Sequence, residues 1–63
     1  MNYEIVIDSL LPERMKDYFE PMNITTKANC TVISGDVVDQ SALFGIIATI
    51  RDLNLKLVSI NRK

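Results

Sequence analysis

Apolar and polar residues alternate along the start of the chain. Tyr3, Ile5 and Ile7 fall on one side of an extended backbone, and the residues between them fall on the other. A period of two is typical of a β-strand with one buried face. The pattern predicts a first strand over residues 3–8.

A helical period follows this strand. Pro12 suits the first turn of a helix, because its fixed φ is helical and its missing N–H is not needed there. Pro21 ends the segment, since a residue that precedes proline is disfavoured in the α conformation. The apolar residues of the segment are spaced as one helix face, which consists of Leu11, Met15, Tyr18 and Phe19.

The middle of the chain is rich in Thr, Val and Ile, which favour strands. Its one turn-prone point is Ala28-Asn29, where Asn can adopt a positive φ. We predict two antiparallel strands over residues 23–27 and 30–34, joined by a tight hairpin. The first is polar, as suits an edge strand, and the second is more apolar, as suits a central one.

The strongest periodic pattern begins after Asp39, a residue type that caps helix N-termini. Gly45, like the alanines near it, would let this helix lie close to a sheet. Asn54 suits the left-handed position that ends a helix, and a last strand is expected over residues 55–61. The apolar stripe that predicts a buried helix face consists of Leu43, Ile46, Ile47, Ile50 and Leu53.

The order strand, helix, strand, strand, helix, strand indicates an α+β fold. With right-handed crossovers, the compact arrangement is a ferredoxin-like βαββαβ sandwich. Its four-stranded antiparallel sheet has the order 4-1-3-2, and its two helices lie on one face. Residues 1–63 would form this single domain, in which the other face of the sheet stays uncovered.

The uncovered face is predicted to carry apolar groups. Val32-Ile33 and Leu57-Val58 place large side chains on both sides of their strands, which a simply hydrated face does not need, although scattered surface apolar residues are also common. A chain this short buries only about 60% of its unfolded surface, so a second copy would supply burial. We expect a homodimer, formed by stacking of sheet faces or by pairing of sheet edges. The candidate interface residues are Val6, Ile33, Val58 and Ile60.

Composition narrows the chemistry. The chain has seven basic and eight acidic residues, no His and a single cysteine, Cys30. It therefore offers no basic run for nucleic acid, no zinc set of Cys and His, and no histidine base for a nucleophile. Its longest apolar run, residues 43–48, is too short to span a membrane. We expect a cytoplasmic protein with a reduced thiol that is not an enzyme and has no cofactor, metal ion, nucleic acid or membrane partner.

Six polar residues have a possible functional role, and each also has a structural interpretation. Asp39 would cap a helix, Arg51 would complement the helix dipole, and Arg62 would pair with Glu4 across strands. No catalytic residue is assigned. The other candidates are Gln40, Asp52 and Asn61.

The chain also resembles a group of short, uncharacterised bacterial and archaeal proteins. The similarity is carried by the runs VDQSALFG (residues 38–45), IRDL (50–53) and LVSINR (57–62) and extends over nearly the whole chain. The resemblance implies no established activity. Relatives often have His at the position of Phe44, so this chain could not repeat any chemistry of that His.

Other users of the sandwich fold have signatures that this chain lacks. The loop after the first strand, Ser9-Leu10-Leu11, has neither the Cys-x-x-Cys of copper carriers nor the Arg of acylphosphatases. The third strand has no aromatic residue to stack RNA bases. ACT modules, which dimerise and bind amino acids at their interface, share only the element order, because the Gly of their first loop is absent. We therefore predict a self-associating protein-interaction module, which could also dock another protein; the alternative is an ACT-like regulatory module with a small ligand at a dimer interface.

Overall fold

The computed structural model, which describes residues 1–63, has the predicted order of elements: strand, helix, strand, strand, helix, strand. The strand boundaries lie within two residues of the predicted ones, and the second strand has the predicted bounds. The strands are β1 (Asn2–Ile7), β2 (Asn23–Lys27), β3 (Cys30–Asp36) and β4 (Leu57–Arg62). The helices are α1 (Glu13–Lys16), which continues into a 3₁₀ turn (Asp17–Phe19), and α2 (Gln40–Asp52).

The four strands form one antiparallel sheet in the order β2-β3-β1-β4. Read from the opposite edge, this order is 4-1-3-2. The central strands β1 and β3 place Ile5 opposite Ile33 and Val6 opposite Val32. Each helical connection therefore carries the chain past one strand, and β2 and β4 are left as the two edges.

Alternate residues of the central strands form the core. Phe19 of the 3₁₀ turn and two residues of α2 pack into the same cluster as the inward side chains of β1 and β3, so both helical segments cover one face of the sheet. Only nine of the 63 residues are buried, which leaves the molecule a small interior. The apolar core consists of Ile5, Ile7, Leu11, Phe19, Ile33, Val37, Leu43 and Ile50.

The predicted stripe of α2 faces this core. Leu43 and Ile50 are buried, and the other three residues of the stripe are half-buried against them. Asp39 caps the helix, since its Oδ1 accepts a hydrogen bond from the Ala42 N–H at 2.8 Å. Asn54 follows the helix in the left-handed conformation, with φ of 59°. Both ends of α2 are therefore built as the sequence predicts.

The first helical segment is shorter and tighter than predicted. Pro12 is its N-cap rather than its first helical residue, and only Glu13–Lys16 is α-helical. The following 3₁₀ turn has three residues per turn instead of 3.6, which rotates the side chains within it relative to the predicted helix face. Phe19 is therefore buried, whereas Tyr18 is 63% exposed. The placement of Tyr18 on the buried face is corrected accordingly.

Thr31 links the loop between β1 and α1 to the sheet through two hydrogen bonds of its hydroxyl group. Its Oγ1 accepts a hydrogen bond from the Leu11 N–H at 3.1 Å and donates one to the Ser9 carbonyl at 2.7 Å. Thr31 is the one polar residue among the buried ones, and both functions of its hydroxyl are used. The loop consequently lies against the sheet with Leu11 buried.

The two glycines occupy opposite environments. A Cβ at Gly45 would have no heavy atom within 4 Å, so this residue faces open space and the expectation that it brings α2 close to the sheet is wrong. Gly35 has φ of +152°, and a Cβ there would lie 3.1 Å from Met22 Sδ. Gly45 therefore only weakens its helix, whereas Gly35 is needed where it stands.

We expect Gly45→Ala to stabilise the protein by about 0.5–1 kcal/mol, because alanine has the higher helix propensity and the added methyl group meets nothing. The matched variant Gly35→Ala should instead cost about 1–3 kcal/mol through backbone strain. Urea unfolding followed by circular dichroism measures both. A destabilised Gly45→Ala would contradict the outward position of Gly45.

Candidate interaction surfaces

The face of the sheet opposite the helices has an apolar centre. Val6 and Val32 lie opposite each other on the two central strands, and both are half-buried. Thr25 on β2 and Ser59 on β4 complete their row across the sheet. The neighbouring row is polar throughout and consists of Asn23, Ser34, Glu4 and Asn61. The open face therefore has one valine pair with polar residues beside it rather than a continuous apolar layer.

Two of the four candidate interface residues lie on the covered face. Ile33 is 0% exposed, and Ile60, opposite Ile5, packs against the core. Side chains alternate along a strand, so residues in register with Ile5 face the helices. The assignment of Ile33 and Ile60 to the open face is corrected for this reason. Val6 faces outward as predicted, and Val58 is 55% exposed.

A β-bulge sets the position of Val58. Val6 pairs with Ser59 while Ile7 pairs with Leu57, so Val58 has no partner on β1. The extra residue interrupts the alternation of β4, as bulges do. Leu57 consequently turns towards α2, where it lines a small hollow with Ile47. Of the two residues Leu57 and Val58, only Val58 therefore does not face the helices.

A groove opens between the 3₁₀ turn and the start of α2. It encloses about 380 Å³, within the range of about 300–1,000 Å³ found for small-molecule sites. Its lining is mostly apolar, and Tyr18 and Val38 are 63% and 83% exposed beside it. The charged side chains that line it, Glu20 and Asp36, are both acidic. Asp36 is paired with the Met1 ammonium at 2.9 Å, which leaves Glu20 as the lining charge without an ion pair. A ligand with an amine therefore suits this groove better than one with a carboxylate alone.

The six polar candidates do not form a common site. They are Asp39 and Gln40 at the start of α2, Arg51 and Asp52 at its end, and Asn61 and Arg62 on β4. The two ends of α2 are about 18 Å apart at a rise of 1.5 Å per residue. The Asp39 carboxylate accepts the capping hydrogen bond of α2, so its position is explained without a ligand.

Glu4 pairs with Lys63 and not with Arg62. The Lys63 Nζ lies 3.1 Å from the Glu4 Oε2 on the open side of the sheet. Arg62 lies opposite Tyr3, which puts it on the other face of the sheet from Glu4. The predicted pair of Glu4 and Arg62 is therefore wrong.

Two kinds of site have no basis in the arrangement of side chains and helices. No three His, Cys, Asp or Glu side chains are grouped so that they could hold a metal ion. None of the helices combines the length and the apolar character needed to cross a bilayer. Cys30 is a half-buried free thiol opposite Lys27, at the start of β3.

A family model described as a domain of unknown function (DUF8691) matches residues 2–61. The chain belongs to this family. The DUF8691 match covers both helices and all of the sheet except the last residue of β4. No curated protein and no solved structure matches the chain. Because the family description assigns no activity, function has to be argued from the surfaces of the DUF8691 domain itself.

We expect Asp39→Ala to lower the free energy of unfolding by about 0.5–2 kcal/mol, because the Ala42 N–H loses its acceptor. Asp39→Asn should keep most of the stability, since Asn is an equally good N-cap. Asp52→Ala, an exposed change at the other end of α2, serves as the control and should stay within about 0.5 kcal/mol of the parent. Equal losses for the Asn and Ala variants of Asp39 in urea unfolding would contradict the capping role.

Proposed function

We propose that this domain is a non-enzymatic protein-interaction module of the ferredoxin-like type that associates with a second copy of itself. The observation that carries the proposal is the part of the sheet that the helices leave uncovered: an outer face with Val6 and Val32 at its centre beside a polar row, and two edge strands, β2 and β4. An apolar centre with a polar rim is the usual anatomy of a protein–protein interface. The element order and the sheet order β2-β3-β1-β4 support the ferredoxin-like assignment.

The small number of buried residues supports the same proposal. Nine buried residues are few for a stable domain, and small chains commonly gain burial by association. One copy exposes 4273 Å², so a standard interface of about 800 Å² per partner would cover about a fifth of it. Several large apolar side chains are available on the surface: Met1, Leu10, Tyr18, Val38, Phe44, Leu57 and Val58.

The second candidate function is binding of a small ligand, as in ACT-like regulatory modules. The groove beside Tyr18 and Val38 favours it by its size and apolar lining. Two features weigh against an ACT-like amino-acid site. Thr31 links the loop after β1 to the sheet, and the groove has no basic side chain to bind the carboxylate of an amino acid. Self-association is therefore the stronger proposal.

Self-association predicts a particle of twice the 7.1 kDa mass of one copy. Sedimentation velocity over a micromolar concentration series should show this dimer, with dissociation on dilution. Val58→Asp should keep the fold, because this exposed side chain can change without loss of core packing. Loss of the dimer in this variant would place the contact at the bulge of β4. A 7.1 kDa particle at every concentration would refute self-association.

The ligand-binding alternative predicts a different result. A ligand present at 100 times its Kd stabilises the native state by about 2.7 kcal/mol, which a thermal-shift screen detects. Hydrophobic amines should raise the Tm more than the corresponding amino acids, and Glu20→Gln should reduce this preference. A flat screen across amines, amino acids and nucleotides would remove the alternative.

A further inference from the structure

The two edges of the sheet are not equally protected. β4 has the bulge at Val58, ends at Arg62 and is flanked by Lys56 and Lys63; both bulges and lysines discourage edge pairing. β2 pairs with β3 over five residues without a register shift, contains no proline, and has Lys27 as its one charged residue. The edge of β2 is therefore the one that remains open to another strand.

The hairpin determines which backbone groups of β2 are free. Its two-residue turn has positive φ at both Ala28 and Asn29, which is the type I′ turn that closes on a hydrogen-bonded residue pair, here Lys27 and Cys30. Hydrogen-bonded and non-hydrogen-bonded pairs alternate along an antiparallel ladder. Ile24 and Thr26 therefore direct their N–H and C=O groups away from β3, towards the free edge.

The hydrogen bonds between β3 and β1 independently indicate which residues of β3 direct their backbone groups towards β2. Val37 N–H donates to the Met1 carbonyl, so Met1 and Val37 are turned towards each other across the β1–β3 ladder. The odd-numbered residues of β3 then face β1, and the even-numbered ones face β2. Val32, an even-numbered residue, thus bonds Thr25, which leaves the groups of Ile24 and Thr26 unused.

We infer that the domain dimerises by antiparallel pairing of β2 with the β2 of a second copy, centred on Thr25. This inference rests on the proposed self-association and assigns it to the pairing of sheet edges, not to the stacking of sheet faces, so the pair of Val6 and Val32 stays outside the contact. In this register, Ile24 lies opposite the partner's Thr26, and symmetry repeats the pair, so four backbone hydrogen bonds form from the free groups. The product is one continuous eight-stranded sheet with both helical layers on the same side, since a twofold axis perpendicular to the sheet relates antiparallel neighbours.

The side chains are compatible with this register. Thr25 meets the partner's Thr25 on the open face, and cross-strand threonine pairs are favourable. Asn23 lies opposite the partner's Lys27, so no like charges meet. On the helical side, the half-buried Ile24 gains cover from the partner's Thr26. The corresponding pairing of β4 about Ser59 would instead place Lys56 opposite the partner's Arg62, which repel each other.

A disulfide tests the register directly. In a Cys30→Ser background, Thr25→Cys places two thiols at the symmetric centre, where Cα atoms of a non-hydrogen-bonded pair lie about 4.5 Å apart, within the range that a disulfide spans. Asn23→Cys is the matched control on the same strand and face, because its symmetry mate lies about 13 Å away along the strand. We expect a dimer band on non-reducing gels for Thr25→Cys only.

A proline tests the hydrogen bonds. Thr26→Pro removes an N–H that has no hydrogen-bond partner within one copy, so the circular dichroism spectrum should be unchanged. The Kd of the dimer should rise about tenfold or more, because intermolecular hydrogen bonds are lost. Arg62→Pro makes the equivalent change on the free edge of β4 and should leave the Kd unchanged. Cross-linking of Thr25→Cys does not depend on the folding of the proline variant.

The outcomes separate the inference from the proposal on which it rests. Selective cross-linking at Thr25 together with a weakened Thr26→Pro dimer would support the β2 edge. A wild-type dimer that neither cross-links at Thr25 nor responds to Thr26→Pro would overturn the β2 edge and leave self-association intact. A wild-type protein that is monomeric throughout the concentration series would refute both.

Discussion

A sheet that is covered on one face only is the constraint from which the rest of this structure follows. Sixty-three residues supply two helical segments, and both pack on the same side of four strands. Burial is therefore limited to the alternate residues of β1 and β3 and to the stripe of α2. Because the interior is so small, each fully buried side chain carries a large share of the stability, and the loop after β1 is held by the buried hydroxyl of Thr31.

The same constraint accounts for the character of the surface. The helices leave one face and two edges of the sheet uncovered. These three surfaces differ in their side chains and in the regularity of their strands. The face keeps an apolar centre of two valines beside polar residues. The edge at β4 is interrupted by a bulge, whereas the edge at β2 is regular and has unused backbone groups at Ile24 and Thr26. The proposed second copy would add burial at these surfaces without a larger chain.

The groove on the helical side of the molecule supports only the alternative proposal, binding of a small ligand. It lies where the 3₁₀ turn and the start of α2 diverge, and Glu20 is the charged residue of its lining without an ion pair. It is not continuous with the open face, which lies across the sheet. A ligand in the groove and a partner at the sheet edge would therefore contact different elements. Membership of the DUF8691 family favours neither function, because the family has no assigned activity.

The sequence by itself determined the order of the elements and both caps of α2, because periodicity, Asp39 and Asn54 act through neighbouring residues. It also placed Ile5 and Ile7 on the buried face of β1. Only the tertiary structure decided which side of β4 faces the helices, since the bulge at Val58 depends on pairing with a strand fifty residues earlier. The exposure of Tyr18 depended in the same way on how the first helical segment packs. Ile33 and Ile60 were misplaced for this reason: alternation shows that two faces exist, but contacts between distant segments decide which face is covered.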